Sequence, residues 1–546
     1  MRNNLTGTRC VCKSIFEALV QILNRTQLPF RKQHKNKICA RNDYWEPPTE
    51  AEKVATPKGS KRDMSTSSNS GSGENQLRKN SLGVGAVTFL VVSAAAPLTA
   101  VAGGVPLSML LGNGPGIPLT FALVTAILLL FAVGYVAMAR HIRNAGAFYA
   151  YTAQGLGGLM GGAAALVAIL AYNAMQIGVF GMFGAATSGF FAGYGLTLPW
   201  WVWTYIGIAV VAIFGYRRVD LSAKVLTVLV ILEYLVVLVI DAAIFMKGGD
   251  TGLSATPFTP SAFMSGTPAI GILFCFAAFI GFEATTIYSE EAREPHKTVP
   301  RATYISVLII GLFYMLTSWL MVVGAGADKL VPQLQSLQDP TTFLFGLAEQ
   351  YVGHWITVVM SVLFITSLFA GVLAFHNGVA RYMYVAGREG LLPKAIGVTH
   401  PVFQSPHVGS MIQTVIAVLV VAIFAFTGQD PVLALFSWLT NVGTLAIILL
   451  MAFTAFAIVA FFGRNPHLEQ NVLVTKVLPV VTGLILLALV FYISANFGAI
   501  AGANGILAVL LPGLVVIAAV VGFIAAARLK SADAIGFARL GAGQEA

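Results

Sequence analysis

Two glutamates, Glu233 and Glu283, sit in the middle of long apolar stretches, LVILEYLVVL (229–238) and FIGFEATTIY (279–288). A carboxylate at the centre of a membrane-length helix costs roughly 2.5–3.5 kcal/mol on insertion scales, so it is kept where it is paired, protonated or functional. Surroundings that favour the neutral form let such a group bind and release a proton near neutral pH. Proton handling is therefore the first chemistry this sequence offers. For Glu283 the other reading is a hydrogen-bonded gate reaching the first or eighth apolar stretch. For Glu233 it is a structural carboxyl. Asp241 lies nearer the outer end of the same stretch as Glu233, where interfacial solvation accounts for it.

The elements that must hold these groups follow from composition. Hydrophobic residues make up 57% of the chain and charged residues 10%, with a mean hydropathy of +0.79. A soluble domain is about a quarter charged. A hydrocarbon core of about 30 Å needs about 20 apolar helical residues, and backbone amides there find no water, so the spans should be helices. We place twelve of them near 84–111, 117–139, 156–188, 198–216, 221–246, 266–289, 302–326, 354–384, 408–427, 432–461, 477–496 and 505–528. With the N-terminus inside, Arg140, Arg143, Arg217, Arg218, Lys224, Arg293, Lys297, Arg301, Arg381, Arg388, Lys394, Arg464 and Lys476 fall on the cytoplasmic side, and Arg528, Lys530 and Arg539 in the C-terminal tail. The outer loops hold only Lys247 and Lys329. This asymmetry places both termini in the cytoplasm. The net charge of +10 is then mostly topology and contact with anionic lipid, and calls for no nucleic acid.

Residues 1–83 form a polar, basic tail rich in Ser, Asn and Gly, expected to be disordered and cytoplasmic. Its only apolar patch, Ser14–Asn24, is short for a cleaved signal. Cys10, Cys12, Cys39 and His34 match no zinc spacing, and Cys275 reads as a small core residue, so no metal and no cofactor is expected. Met64 opens a short polar leader, MSTSSNSGSGENQLRKNSLG, that runs straight into the first span; we expect it to be the start, with 1–63 an extension of the gene reading. Residues 529–546 form the C-terminal tail.

Two spans look breakable. The first carries Pro97 near its midpoint, which lacks an N–H and frees the carbonyl of Ser93, among the small residues Ala94, Ala95 and Ala96 and ahead of Gly103 and Gly104. The competing reading is a plain proline kink. The sixth has Ala277, Ala278 and Gly281 just before Glu283. Matching interruptions in two halves of a chain point to a transporter of inverted-repeat type, with substrate at the midplane.

The run FIGFEATTIYSEEAREPHKTVPRA (279–302) resembles the signature after span six of the amino acid–polyamine–organocation superfamily. NAGAFYAYTAQGLG (144–157) is similar to its Gly-Tyr-rich approach to span three, and HNGVARYMYVAGREGLLP (376–393) to its motif leaving span eight, with Glu389 where Asp is usual. The resemblance covers about 84–528. It implies an all-α fold of twelve transmembrane helices, a 5+5 inverted repeat (about 84–246 and 266–461) and two extra helices (about 477–528). One departure concerns the break in span one, Ala-Ala-Ala-Pro-Leu-Thr (94–99) instead of a Gly-Ser-Gly type.

The resemblance implies a secondary carrier importing an amino acid or related amine across the plasma membrane, and Glu233 and Glu283 rank protons above sodium as the coupled ion. The substrate carboxylate would meet the half-helix end at residues 96–99, Ala96, Pro97, Leu98 and Thr99, where every residue but Pro97 carries an N–H. The ammonium would meet carbonyls around Ser93–Ala95 and Ala278–Ile280. Gly281 belongs to the same unwound stretch, and Tyr172 is a candidate pocket wall. The family's gate aromatic falls at Ala277 here, so Phe276 or Phe279 would substitute or the pocket would be larger. Glu233 lies where related proton-coupled carriers place a titratable group. Ser361 and Ser367 are the hydroxyls that sodium would use instead. Asn173, Asn441, Thr444 and His376 read first as structural, and Gly157, Gly158, Gly161 and Gly162 as helix packing. Glu290, Glu291 and Arg293 suggest a cytoplasmic ion network at the inner gate.

Other readings stay open: a polyamine or organic-cation carrier or exchanger, an amino-acid-binding membrane sensor, and a lipid-handling enzyme. The last would need polar clusters on interfacial loops, and the outer loops are short and almost uncharged. No G-x-x-x-x-G-K-[ST] loop is present, which argues against an ATP-driven pump. The expected partners are a small-molecule substrate, a proton and the lipid bilayer.

Overall fold

A computed structural model describes residues 82–142, 146–217, 223–287, 292–468, 471–500 and 505–542. The expectations for the N-terminal tail, Glu290 and Glu291 lie outside them. Among the described residues the chain is helical throughout, with no strand beyond an isolated bridge between Leu82 and Ala292. That is the outcome expected where each backbone amide must find its partner within its own segment. We number the helices used below α1 (Val84–Ala94), α2 (Thr99–Leu111), α3 (Ile117–Ala139), α4 (Phe148–Leu156), α5 (Gly158–Ala192), α6 (Trp200–Arg217), α7 (Ala223–Lys247), α8 (Pro268–Phe279), α9 (Ala284–Ile287), α10 (Pro295–Ala325), α11 (His354–Arg388), α12 (His407–Phe426), α13 (Pro431–Arg464), α14 (Leu473–Ala495), α15 (Ile506–Ala532) and α16 (Ala534–Ala538). Among the described residues, nine helices are long and apolar enough to cross a membrane, and Thr99–Leu111 and Pro268–Phe279 are shorter apolar helices.

Helix α5 is the central post, packed against α6, α11, α13 and α15. At 35 residues it is about 52 Å long, well beyond a hydrocarbon core. Its small residues set how closely neighbours approach. A Cβ added to Gly522 of α15 would lie 2.2 Å from the carbonyl oxygen of Gly162, so those two backbones touch. Gly161 likewise meets Ala153 and Gly158 the Phe537 ring, the packing role read from their spacing, whereas Gly157, with φ 95° and nothing within 4 Å of an added Cβ, serves the turn between α4 and α5 and not the packing. Facing outward, Ile206, Ile213, Leu235, Ile309, Leu312, Leu419 and Val516 are exposed. Apolar surface on this scale fits a lipid surround rather than water.

One expectation changes. Asp241 is only 2% exposed and accepts a hydrogen bond from Thr317 Oγ1 of α10 at 2.7 Å, so a buried partner supports it rather than interfacial water. Hydropathy located the helix end but could not show that α10 covers that face. The C-terminal tail also docks. Leu540 is buried, its carbonyl accepts from Gln154 Nε2 at 3.0 Å, and the Gly541 N–H donates to Glu389 at 2.7 Å. The Tyr149 hydroxyl donates to the same carboxylate. Glu389, the departure from the family motif, thus ties α4, α11 and the tail together.

Candidate functional site

Both suspected spans are open. Helix α1 ends at Ala94, Ala95 turns, and Ala96 takes a left-handed backbone with φ 44° before the chain resumes at Pro97. Proline suits this place because its ring presets a helical φ and its missing N–H would be an orphan there anyway. The plain-kink reading is therefore set aside. The Tyr314 hydroxyl of α10 donates to the freed Ala95 carbonyl at 3.3 Å.

The N-terminal end of the second half-helix exposes donors. The Leu98 N–H donates to Glu233 Oε2 at 3.3 Å, and the Thr99 N–H donates to Ser367 Oγ at 3.2 Å. Ser367 in turn donates to Glu233 Oε2 at 2.7 Å, and Thr99 Oγ1 donates to Ser367 at 3.1 Å. Glu233, 1% exposed, thus caps a helix N-terminus with its carboxyl, at a place where negative charge is favoured. Two of the donors the sequence reserved for a substrate carboxylate are engaged by the protein itself.

At the second break, α8 ends at Phe279, Ile280 is extended, and Gly281 has φ 118°, a conformation that L side chains rarely adopt. Glu283 Oε2 accepts from the Gly281 N–H at 3.0 Å, holding the unwound turn. Its other oxygen accepts from the Tyr172 hydroxyl of α5. The partner helix is thus the third span, not the first or eighth. The Tyr172 ring stacks on Tyr382 of α11 with centroids 5.3 Å apart. Tyr135 of α3 donates to the Glu283 carbonyl at 3.4 Å. Glu283 is fully buried within this tyrosine cluster.

A cavity of about 50 Å³ lies between the two breaks. The first break contributes Ala95, Ala96, Thr99, Ala100 and Gly104, and the second Phe274, Ala277, Ala278 and Ile280. The remaining wall is Met175 and Val179 of α5, Gly371 and Phe375 of α11, and Phe436 and Thr440 of α13. Among the described residues its side-chain polarity is limited to the hydroxyls of Thr99 and Thr440, and Thr440 Oγ1 already donates to the Phe436 carbonyl at 2.7 Å.

Of the residues singled out from sequence, Ala95, Ala96, Thr99, Ala278 and Ile280 line the cavity. Ser93 and Ala94 close α1, and their side chains lie outside the described residues. Pro97 and Leu98 sit behind the wall, and Tyr172 serves Glu283. Phe276 and Phe279 are buried off the wall; Phe279 packs on Tyr314, and the aromatic facing the cavity from α8 is Phe274. Ala277, where the family's gate aromatic falls, does face the space. Ser361 donates to the Thr357 carbonyl instead of the site. Asn441 donates to Ser437, and Thr444 to the Thr440 carbonyl. The wall residues missed in sequence are Ala100, Phe274 and three i, i+4 pairs, Met175/Val179, Gly371/Phe375 and Phe436/Thr440. That spacing marks one helix face but not which face turns inward.

Comparison with known proteins accords with this architecture. The family profile described as amino acid permease matches residues 82–528. The branched-chain amino acid permease BcaP of Bacillus subtilis is 26% identical over 404 residues, 70% of this chain and 80% of its own length. The low-affinity putrescine importer PlaP of Escherichia coli is 24% identical over 313 residues, 56% of this chain and 67% of its own. Among solved structures, a mutant of the manganese transporter of Eremococcus coleocola superposes with a TM-score of 0.53 at 18% identity, covering 85% of this chain and 98% of that one. That likeness concerns the fold alone. Since the profile spans nearly all of the described residues, this multi-pass membrane chain belongs to the amino acid permease family, whose members here are transporters of amino acids or amines.

Proposed function

We propose that this protein is a proton-coupled secondary carrier that imports a neutral amino acid with an apolar side chain across the plasma membrane. Twelve spans would be arranged as a 5+5 inverted repeat with two added helices, both termini would be cytoplasmic, and the carrier would work by alternating access. The observation that carries the reading is the bond chain from the cavity wall to a buried carboxylate: Thr99 to Ser367 to Glu233, with Glu233 capping the half-helix that borders the cavity. A substrate carboxylate entering beside Thr99 shares that helix N-terminus with Glu233. Two negative charges there repel, and a proton on Glu233 relieves the repulsion. By linkage, substrate then favours the proton and the proton favours substrate. The wall's aliphatic and aromatic surface supports an apolar side chain, because among the described residues no carboxylate lines it to meet a second ammonium.

Glu283 has a different part. It joins the unwound second break to Tyr172 on the central post, and that bond must open for the two to separate. An equilibrium between inward and outward states spans only a few kcal/mol, so a single buried bond can bias it. The likeness to a putrescine importer supports an amine as the second reading, with Glu233 as the anion that an amine would approach through Thr99.

Purified protein in liposomes, offered a radiolabelled panel of amino acids and polyamines with and without an inward pH gradient, tests the proposal. Gradient-dependent accumulation of leucine-like substrates is expected. Accumulation of putrescine alone would favour the second reading. Binding without uptake under any proton or sodium gradient would favour a sensor.

A further inference from the structure

Behind the cavity wall runs a second polar chain that the transport reading does not use. Gln176 follows Met175 on α5, and His376 follows Phe375 on α11; Met175 and Phe375 both line the cavity. Gln176 Nε2 lies 3.1 Å from His376 Nδ1 and 3.3 Å from the carbonyl oxygen of Val372. A carbonyl can only accept, so the amide nitrogen of Gln176 must face that side. His376 Nδ1 is then an acceptor, and its proton sits on Nε2, which donates to Ser410 Oγ of α12 at 2.6 Å. The Gln176 oxygen is left to accept from Gln413 Nε2 of α12. The chain has one direction: Gln413 to Gln176 to His376 to Ser410. All four residues are at most 1% exposed, and Gln413 Oε1 has no partner among the described residues. Helix α6 holds the ring from the remaining side, since a Cβ on Gly215 would lie 2.4 Å from His376 Nε2.

We propose that Gln176 and His376 are positioning residues that set substrate specificity by fixing the separation of α5 and α11 across the cavity. This inference rests on the reading of the cavity as a substrate pocket. Each wall residue from these two helices lies within one helical turn of a network member: Met175 and Val179 around Gln176, and Gly371 and Phe375 around Val372 and His376. Buried polar chains with a single consistent direction rigidify their surroundings, because every alternative leaves a group unpaired. A simple greasy contact would let the two helices slide and the wall adapt to substrates of different bulk.

The test compares kcat/KM for leucine and alanine in liposomes. Gln176→Leu and His376→Leu are expected to lower the leucine-to-alanine ratio about tenfold, mainly through KM for leucine, the scale on which pockets resolve small changes in side-chain bulk. His376→Asn restores an acceptor near the Nδ1 position and should recover part of the ratio. Ser410→Ala removes the terminal acceptor with almost no change in volume; it should lower the ratio less and remains informative if the Leu variants do not assemble. Equal losses for both substrates, or a wild-type ratio in Ser410→Ala and His376→Leu alike, would overturn the inference. Wild-type protein moving neither amino acid would instead sink the reading of the cavity as a pocket for apolar amino acids, and this inference with it.

Discussion

The two helix breaks look alike in sequence and are built differently. In the first, the residues at the break are small and uncharged, and the carboxylate is supplied from α7, 135 residues further along the chain. In the second, the carboxylate belongs to the break itself and folds back onto the Gly281 N–H two residues earlier. Glu233 is reached from the cavity through two hydroxyls, whereas Glu283 is anchored to a tyrosine on the central post. A group that shares a helix terminus with the substrate site is placed to sense substrate charge. A group that staples a moving segment to a fixed helix is placed to time its release. On the proposed reading the contrast gives coupling to Glu233 and gating to Glu283; from sequence, the rival to a proton role was a gate for Glu283 and a structural carboxyl for Glu233.

Glu233→Gln probes that separation most strongly. It removes the charge from a buried cap, where hydrogen bonds to charged groups are worth about 1.5–3 kcal/mol, so gradient-driven accumulation should fall about 10- to 150-fold while exchange of internal for external substrate persists. Loss of exchange as well would make Glu233 a structural cap only. Gly281→Ala should cost roughly 1–3 kcal/mol by forcing a side chain into its positive-φ backbone, read as a lower melting temperature in detergent together with lower uptake. Unchanged melting would mean that the second break is not held in this form. Tyr172→Phe deletes the staple but keeps the ring; with a neutral hydrogen bond worth about 0.5–1.5 kcal/mol, the inward–outward balance should shift about 2- to 12-fold. Accessibility of a cysteine reporter from the inner side measures that shift, and no change would remove Tyr172 from the gate. The smallest effect is expected for Ala96→Gly. Relief of the left-handed strain is worth about 1 kcal/mol, and the entropy of glycine offsets about 0.5–1 kcal/mol of it, so stability should stay within a few tenths of wild type. A clear loss would mean that the Ala96 methyl, 3.5 Å from where a Gly371 Cβ would sit, is needed in the cavity wall.

How much was legible before the structure depends on the kind of signal. The helical class, the approximate limits of the helices and the two interruptions follow from hydropathy, from a proline that cannot continue a helix, and from small residues in two matching places. These are local properties of the chain, and the membrane leaves the backbone few choices. The motifs likewise carried the family. Partners were not legible. Nothing near Glu283 in sequence points to Tyr172, 111 residues away, and nothing near Asp241 points to Thr317, 76 residues away. Phe276 and Phe279 were plausible gate aromatics by position, yet the rotation of α8 turned Phe274, Ala277 and Ala278 to the cavity.

The sequence by itself thus determined that this chain spans a membrane in helices, that two of them are interrupted, and that a few carboxylates must be accommodated far from water. The reason is energetic and local: apolar length, missing amide hydrogens and the cost of buried charge are all read residue by residue. Only the tertiary structure decided which hydroxyl meets which carboxylate, which helix faces form the cavity, and that Gln413, Gln176, His376 and Ser410 make one directed chain behind it. Those outcomes depend on how helices rotate and approach one another. Rotation is set by packing over the whole bundle, by close contacts such as Gly162 against Gly522, and by no single segment of the chain.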